Sequence, residues 1–345
     1  MSTSVKSRTG GAVPSRSGAA RSVLCVGGAL VLLVLALFSS VMFGNMSNSF
    51  GDVLDVLSGN GDAYLTTVVE SRYPRTVLGV LAGVCLAVSG TLMQGVTRNP
   101  LADPGLLGIN AGAAASIVAA TAFLGASGQS ETMWWALPGA LLAGVFVHLL
   151  GSAGSSTSLV RLVLAGAVLT AVLTAFVQAV TLTKPQVFDS YRYWVVGAFG
   201  GRDYSAFWPV LPFAIVGLLV AVVLAPSLNS LALGDESATS LGTDPAVVRG
   251  TGLLTATVLS AAATAAVGPI AFVGLAVPHI VRAIGGVDFR MQVLLAALTG
   301  PSLLLFADVL GRILLRPQEL MVGVVTAFVG APALLLAVRR MKGSA

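Results

Sequence analysis

The chain has 345 residues, 56% of them hydrophobic and only 10% charged. No polar stretch is long enough to form a soluble domain, which excludes a globular enzyme and a water-soluble binding module. The net charge of +5 comes from basic residues that flank apolar runs, a signature of membrane topology and no case for nucleic-acid binding.

A membrane-crossing helix needs about 20 mostly apolar residues. Apolar runs of about that size lie near 23–43, 76–96, 105–124, 133–150, 159–182, 206–225, 251–267, 270–284, 291–307 and 320–338. The expectation is one all-α polytopic membrane domain over 22–340, with about ten transmembrane helices. Residues 1–21 carry Lys6, Arg8, Arg16 and Arg21 and no acid, which reads as a disordered basic tail. A cleaved signal peptide competes with that reading, but the first apolar run is long and no clear small-x-small site ends it. With an even number of spans and both termini, including 341–345, in the cytosol, Arg72, Arg75, Lys184, Arg192, Arg202, Arg312 and Arg316 are the only basic residues left outside. That is the bias expected for a cytoplasmic membrane.

Along the chain, 44–71 is an acidic external loop, and a short surface helix is expected around Phe50–Leu57. Arg72 and Arg75 then flank a proline at the outer mouth of the second span. An interfacial anchor and a contact to an acidic partner or anionic solute suit them equally. Gly79, Gly83, Ala87, Thr91 and Gly95 recur every four residues, a stripe along which membrane helices approach closely. Gly108, Gly112, Ser116 and Ala120 repeat the spacing. Between the two stripes, RNPLADPG (98–105) breaks the helix with polar residues and two prolines. Irregular backbone near membrane depth needs cover from protein or a water-filled cavity.

His148, alone near the end of the fourth span, reads first as a packing residue. GSAGSSTS (151–158) is a flexible connection. Thr170, Thr174 and Gln178 form a four-spaced polar stripe on the fifth span. Such a stripe faces protein or water, so these three either line a pathway or bond helix to helix. Tyr191, Tyr193, Trp194, Phe199, Tyr204 and Trp208 are expected to form an interfacial aromatic belt. The loop 226–250, with Asp235 and Glu236 at a helix start, reads as a compact cytosolic docking element. Gly323, Ala327 and Ala331 form a last close-packing stripe, open to internal or dimer packing.

Absences narrow the function. None of Lys6, Lys184 and Lys342 follows a glycine, as a phosphate-cradling GxxxxGK[ST] loop requires. Mid-membrane ionisable groups that could couple transport to an ion gradient are also lacking. A pump built on this chain therefore takes its energy from a partner. No HExxH motif exists, and Cys25 and Cys85 sit inside spans without CxxC spacing, so a catalytic metal is not expected and the thiols read as buried. GASG (125–128), with His148 or His279 as base, is a weak match to an intramembrane serine protease, and Ser127 falls in a loop.

The stretch RYPRTVLGVLAGVCLAVSGTLMQGVTRNPLADPGLLGINAG (72–112) resembles the signature of FecCD-type permeases of binding-protein-dependent ABC importers. Further stretches match in order: RLVLAGAVLTA (161–171), YWVVGAFGG (193–201), LALGDESATSLG (231–242), GPIAFVGLAVPHIVR (268–282) and ELMVGVVTAFVGAP (319–332). The resemblance implies the type II ABC importer permease fold and a homodimer or heterodimer of permeases. It implies two ABC ATPase subunits that hold ATP-Mg, and an extracytoplasmic substrate-binding protein or lipoprotein. Ferric siderophore is the default cargo, with cobalamin or haem as alternatives. This chain itself would bind no cofactor or metal and would catalyse no reaction. By the same resemblance, Arg72 and Arg312 face acidic residues of the binding protein. Gly234, Asp235, Glu236, Ala238, Leu241 and Gly242 belong to the helix that couples to the ATPase, and Thr157 and Ser158 to the inner gate. Two features depart from the pattern: Thr239 stands where the cobalamin permease has a basic residue, and two extra residues separate Ser158 from Arg161.

Overall fold

The computed structural model describes residues 16–44, 49–126, 128–152 and 159–342. Thr157 and Ser158, and the serine of the GASG match, lie outside the described residues.

Helices account for nearly all of the described chain. They are α1 (Arg16–Met42), α2 (Phe50–Leu57), α3 (Ala63–Glu70), α4 (Arg72–Thr97), α5 (Ile109–Ala119), α6 (Gln129–Ser152) and α7 (Leu159–Thr183). Then follow α8 (Pro185–Val195), α9 (Leu211–Ala232), α10 (Asp235–Ser240), α11 (Pro245–Val267), α12 (Val273–Gly285), α13 (Phe289–Leu314) and α14 (Val322–Lys342). Every expected apolar run overlaps one of these helices, although 105–124 and 206–225 reach beyond α5 and α9. Seven are long and apolar enough to cross a membrane, whereas the segments Ile109–Leu124, Val273–Gly285 and Val322–Pro332 are shorter. The shortening of α12 has a local cause. After Gly268 the backbone leaves the helix, and Phe272 takes a left-handed conformation, φ 70°, before α12 starts.

The expected surface helix is present as α2. Ser49 and Asp52 close a capping box at its start, with Ser49 N donating to Asp52 at 2.7 Å and Asp52 N to Ser49 Oγ at 3.1 Å.

α4 is the axis of the bundle. Its span is 83% buried within the chain, against 17% for α7 and 11% for α1. α13, α11 and α12 pack around it. Its small residues are the reason it can sit there. A Cβ at Gly83 of the stripe would lie 2.5 Å from Pro301 Cα and N, and one at Gly90, off the stripe, would run into the Gly274 carbonyl. These are backbone-to-backbone approaches that no side chain permits, so the Gly83 face of the stripe serves internal packing. The second stripe does the same for α5 and α6, where Gly112 meets Gly139 and Ala143. Gly323 in α14 lies against the Val196 carbonyl of its own chain, which places at least that part of the last stripe in internal packing.

The aromatic belt needs correction. Tyr193, Tyr204 and Trp208 are exposed, but Trp194 and Phe199 are buried in the core. α8 is a short helix tucked against α5 and α7 that carries Trp194 inward, and Phe199, beyond its end, packs toward Gly79 of α4.

Candidate functional site

α4 is 26 residues long, so its two ends lie about 39 Å apart at 1.5 Å per residue. Charged side chains gather at both.

At the N-terminal end of α4, a cavity of about 600 Å³ is lined by Arg72, Arg75, Arg202, Arg312, Asp203 and Glu319, among others. Asp308 lies beneath it, 1% exposed. It receives Arg75 as a fork, from Nε at 3.0 Å and Nη2 at 2.7 Å. It also pairs with Arg312 one turn further along α13, Nη2 to Oδ2 at 2.9 Å. Arg75 Nη1 reaches Glu319 at 2.7 Å. Arg312, itself 1% exposed, donates Nη1 to the Ser40 carbonyl at 2.9 Å. Arg72 Nη1 donates to the carbonyls of Val41 and Met42, at 2.6 and 2.9 Å. Those are last-turn carbonyls of α1 that have no partner within their own helix. Arg202 does the same for α11, donating Nη1 to the Ala266 carbonyl at 2.9 Å and Nε to that of Ala198 at 2.8 Å. Burial pushes the Arg202 guanidinium down to about 10.

The sequence reading places Arg72 and Arg312 at an outer mouth, turned toward a partner. Both do line the cavity, but both are mostly buried and hold helix ends of their own chain. They are structural ties whose cavity-facing edge alone is open. Sequence reasoning missed the partnership of Arg75 with Asp308 and Glu319, and the role of Arg202. One signal was available: Asp308 and Arg312 are spaced i, i+4, so they share a helix face.

At the C-terminal end of α4, the six-residue helix α10 projects between α9 and α11. Gly234 (φ 113°) and Gly242 (φ 79°) bound it, both in a region that favours glycine. Ala238 is fully buried and seats the helix, while Glu236 and Leu241 are exposed, the latter by 63%. Asp235 is clasped from two sides. Arg249 forks onto it with both contacts at 2.8 Å, and Arg98 Nη2 approaches Oδ1 at 2.7 Å. The hydrogen bonds and charge of Arg249, with Arg98 adding to them, hold the Asp235 carboxyl below the usual range. Asp103, in the break, caps the short turn Pro104–Leu107 by accepting from Gly105 N at 2.8 Å, and burial pushes its carboxyl up.

Of the polar stripe on α7, Thr170 and Thr174 line a crevice of about 220 Å³ together with Asn110, Tyr191 and Trp194. Gln178 lies outside that crevice and is exposed. His279 Nδ1 lies 2.8 Å from the Leu275 carbonyl, a bond to its own helix. Cys85 is buried, and Cys25 donates to the Ile284 carbonyl. Among the described residues no three His, Cys, Asp or Glu side chains group as a metal site.

Comparison with known proteins bears on this arrangement. Residues 32–340 match the FecCD transport family. The ferric enterobactin transport system permease protein FepD of Escherichia coli is 44% identical over 328 residues, covering 94% of this chain and 98% of FepD. The hemin transport system permease protein HmuU of Yersinia pestis is 37% identical, covering 94% of this chain and 98% of its own. Among solved structures, an inward-facing metal-chelate type ABC transporter superposes with a TM-score of 0.81 at 25% identity, over 91% of this chain and 98% of that one.

Proposed function

Because the chain belongs to the FecCD transport family, we propose that it is the membrane permease subunit of an ABC importer that carries a ferric siderophore across the cytoplasmic membrane. The carrying observation is the 44% identity with a ferric enterobactin permease along nearly the whole of both chains. The chain is a multi-pass membrane protein with the type II importer permease fold, and it is a transport subunit, not an enzyme. With no phosphate-binding loop in its sequence, it relies on two ABC ATPase subunits, which hold ATP-Mg, and on an extracytoplasmic binding lipoprotein that delivers cargo. It pairs with a second copy or a homologous permease.

In this reading both termini are cytosolic, so the arginine-lined cavity opens outside and α10 faces the ATPase. The cavity accepts an acidic side chain of the docked binding protein along the open edges of Arg72 and Arg312. Gly234 and Gly242 let α10 stand clear of the bundle, Asp235 and Ala238 anchor it, and Glu236 and Leu241 meet the ATPase. Closure of the ATPases on ATP then shifts α10 and opens the cavity between two permeases by alternating access. Thr170 and Thr174 line the route, with Gln178 further along the same helix. Thr157 and Ser158 form its inner gate.

The relative that transports hemin favours a second reading, the same machine carrying haem, with cobalamin as a further cargo of the family. Uptake of radio-iron ferric enterobactin, ferric citrate, haem and cobalamin in cells lacking the chain separates these. Loss of a ferric siderophore alone supports the first reading, and loss of haem or cobalamin alone overturns it. Replacing Glu236 and Leu241 with alanine is expected to leave ATP hydrolysis running while uptake falls. Normal uptake would remove α10 from the coupling role.

A further inference from the structure

We propose that Arg98 is a positioning residue for energy coupling, a strut that makes the central helix α4 follow the movements of α10. The inference rests on the coupling reading of α10 and gives a role to Arg98, the first residue of the RNPLADPG break.

Arg98 ends α4 in a left-handed conformation, φ 49°. Glycine or asparagine sits there more easily than arginine, so the backbone gives no reason for this residue. Its side chain does. Nη2 donates both to the Leu231 carbonyl, in the last turn of α9, and to Asp235 Oδ1, the first residue of α10. The left-handed turn aims the guanidinium sideways at the end of a neighbouring helix. A basic residue that served membrane topology alone would need neither contact.

The ties matter because the covalent links on either side of α10 are pliant. Gly234 precedes it and Gly242 follows it, both with positive φ. Ala238 is the only residue of α10 that is buried. A push on α10 transmitted through backbone alone would be absorbed at the glycines. Asp235 bypasses them, bonded through Arg98 to α4 and through Arg249 to α11. A second clasp steadies the base: Asn229 near the end of α9 donates to Asp288 at 2.7 Å and accepts from Phe289 N at 2.8 Å, at the start of α13. Asp235 is thus tied to the helix most deeply buried in the bundle, whose other end carries the Arg75–Asp308 pair.

The test uses the complete transporter, permease with its ATPase and binding protein, reconstituted in liposomes. The probe is radio-iron ferric enterobactin, or whichever of the four cargoes above the wild type takes up. The reading is cargo imported per ATP hydrolysed. Arg98→Asn suits the left-handed turn but removes the guanidinium. Its ratio is expected to fall about fivefold, a size typical of residues in direct contact. Asp235→Asn, which also weakens the Arg249 clasp, is expected to fall at least as far, the double variant no further than Asp235→Asn alone, and Arg98→Lys to recover most of the loss. Cross-linking of Thr239→Cys to the ATPase is measured alongside. If the wild-type background never cross-links, the coupling reading of α10 fails, and this inference with it. If it cross-links and Arg98→Asn keeps the wild-type ratio, the strut alone is overturned. Should Arg98→Asn not accumulate in the membrane, Asp235→Asn probes the same bond from the other side, and an unchanged ratio there is equally fatal.

Discussion

Asp308 is the side chain on which the arginine-lined cavity depends, and its removal gives a sharp test. It is 1% exposed and receives both Arg75 and Arg312. The two arginines would not suffer equally. Arg75 keeps Glu319 at 2.7 Å. Among the described residues, Asp308 is the only carboxylate in ion-pair contact with Arg312, whose other bonds go to the neutral oxygens of Ser40. Asp308→Ala therefore leaves a buried guanidinium without a counter-charge, a loss of about 3–5 kcal/mol. Glu319 is one-third exposed and serves Arg75 alone, so Glu319→Gln costs about 1 kcal/mol or less. At about 2 °C per kcal/mol, the lower end for larger chains, Asp308→Ala lowers the apparent Tm by about 6–10 °C and Glu319→Gln by about 2 °C at most. The assay is thermal unfolding of the purified permease in detergent, followed with a thiol-reactive dye that reports exposure of Cys85, a fully buried residue. Equal shifts for the two variants would refute the reasoning. They would mean that Ser40 and solvent satisfy Arg312 and that Asp308 does not assemble the cavity.

Gly90→Leu places a side chain against the Gly274 backbone, which cannot yield. The expected cost is at least the ~1–3 kcal/mol of ordinary overpacking, seen as reduced folded permease in membranes, and wild-type levels would count against close α4–α12 packing. A small membrane-permeant maleimide is expected to modify Cys25, which is partly exposed, well before Cys85 in the folded chain; equal rates on mass spectrometry would contradict the burial. The carboxyl of Asp235 sits below its ordinary value because Arg249 and Arg98 bond its charged form. Its contribution is thus complete above that value and is lost as pH falls through the lowered one. Spin labels on Ser237 and Thr97 should show a constant distance from about pH 5 to pH 8 and a broader distribution only at a pH below the ordinary aspartate value of 3.8. They should also show broadening in high salt, because the pair is exposed; a change centred near neutral pH would point to another group.

Hydrophobic length and the four-residue spacing of small side chains are local properties, and they placed the helices and marked the faces that pack closely. Gly83 could be read as a contact point before its partner was known, whereas Gly90, one position off the four-residue stripe, could not. The capping residues of α2 lie three positions apart and announce its start in the same local way. Family motifs made α10 legible too, since its residues are contiguous. What periodicity cannot supply is what a face meets. Arg75 finds Asp308 across 233 positions, and Arg98 finds Asp235 across 137. Whether Arg72 and Arg312 point outward or inward depends on the end of α1, which only the packed bundle brings beside them. The inward turn of Trp194 and Phe199 was likewise decided by neighbours distant in the chain. A helix of sufficient apolarity forms on local grounds, whereas a buried charge takes whichever partner the assembled helices carry to it. Local sequence therefore settled where this chain forms its apolar helices, and tertiary structure settled which charges hold those helices together.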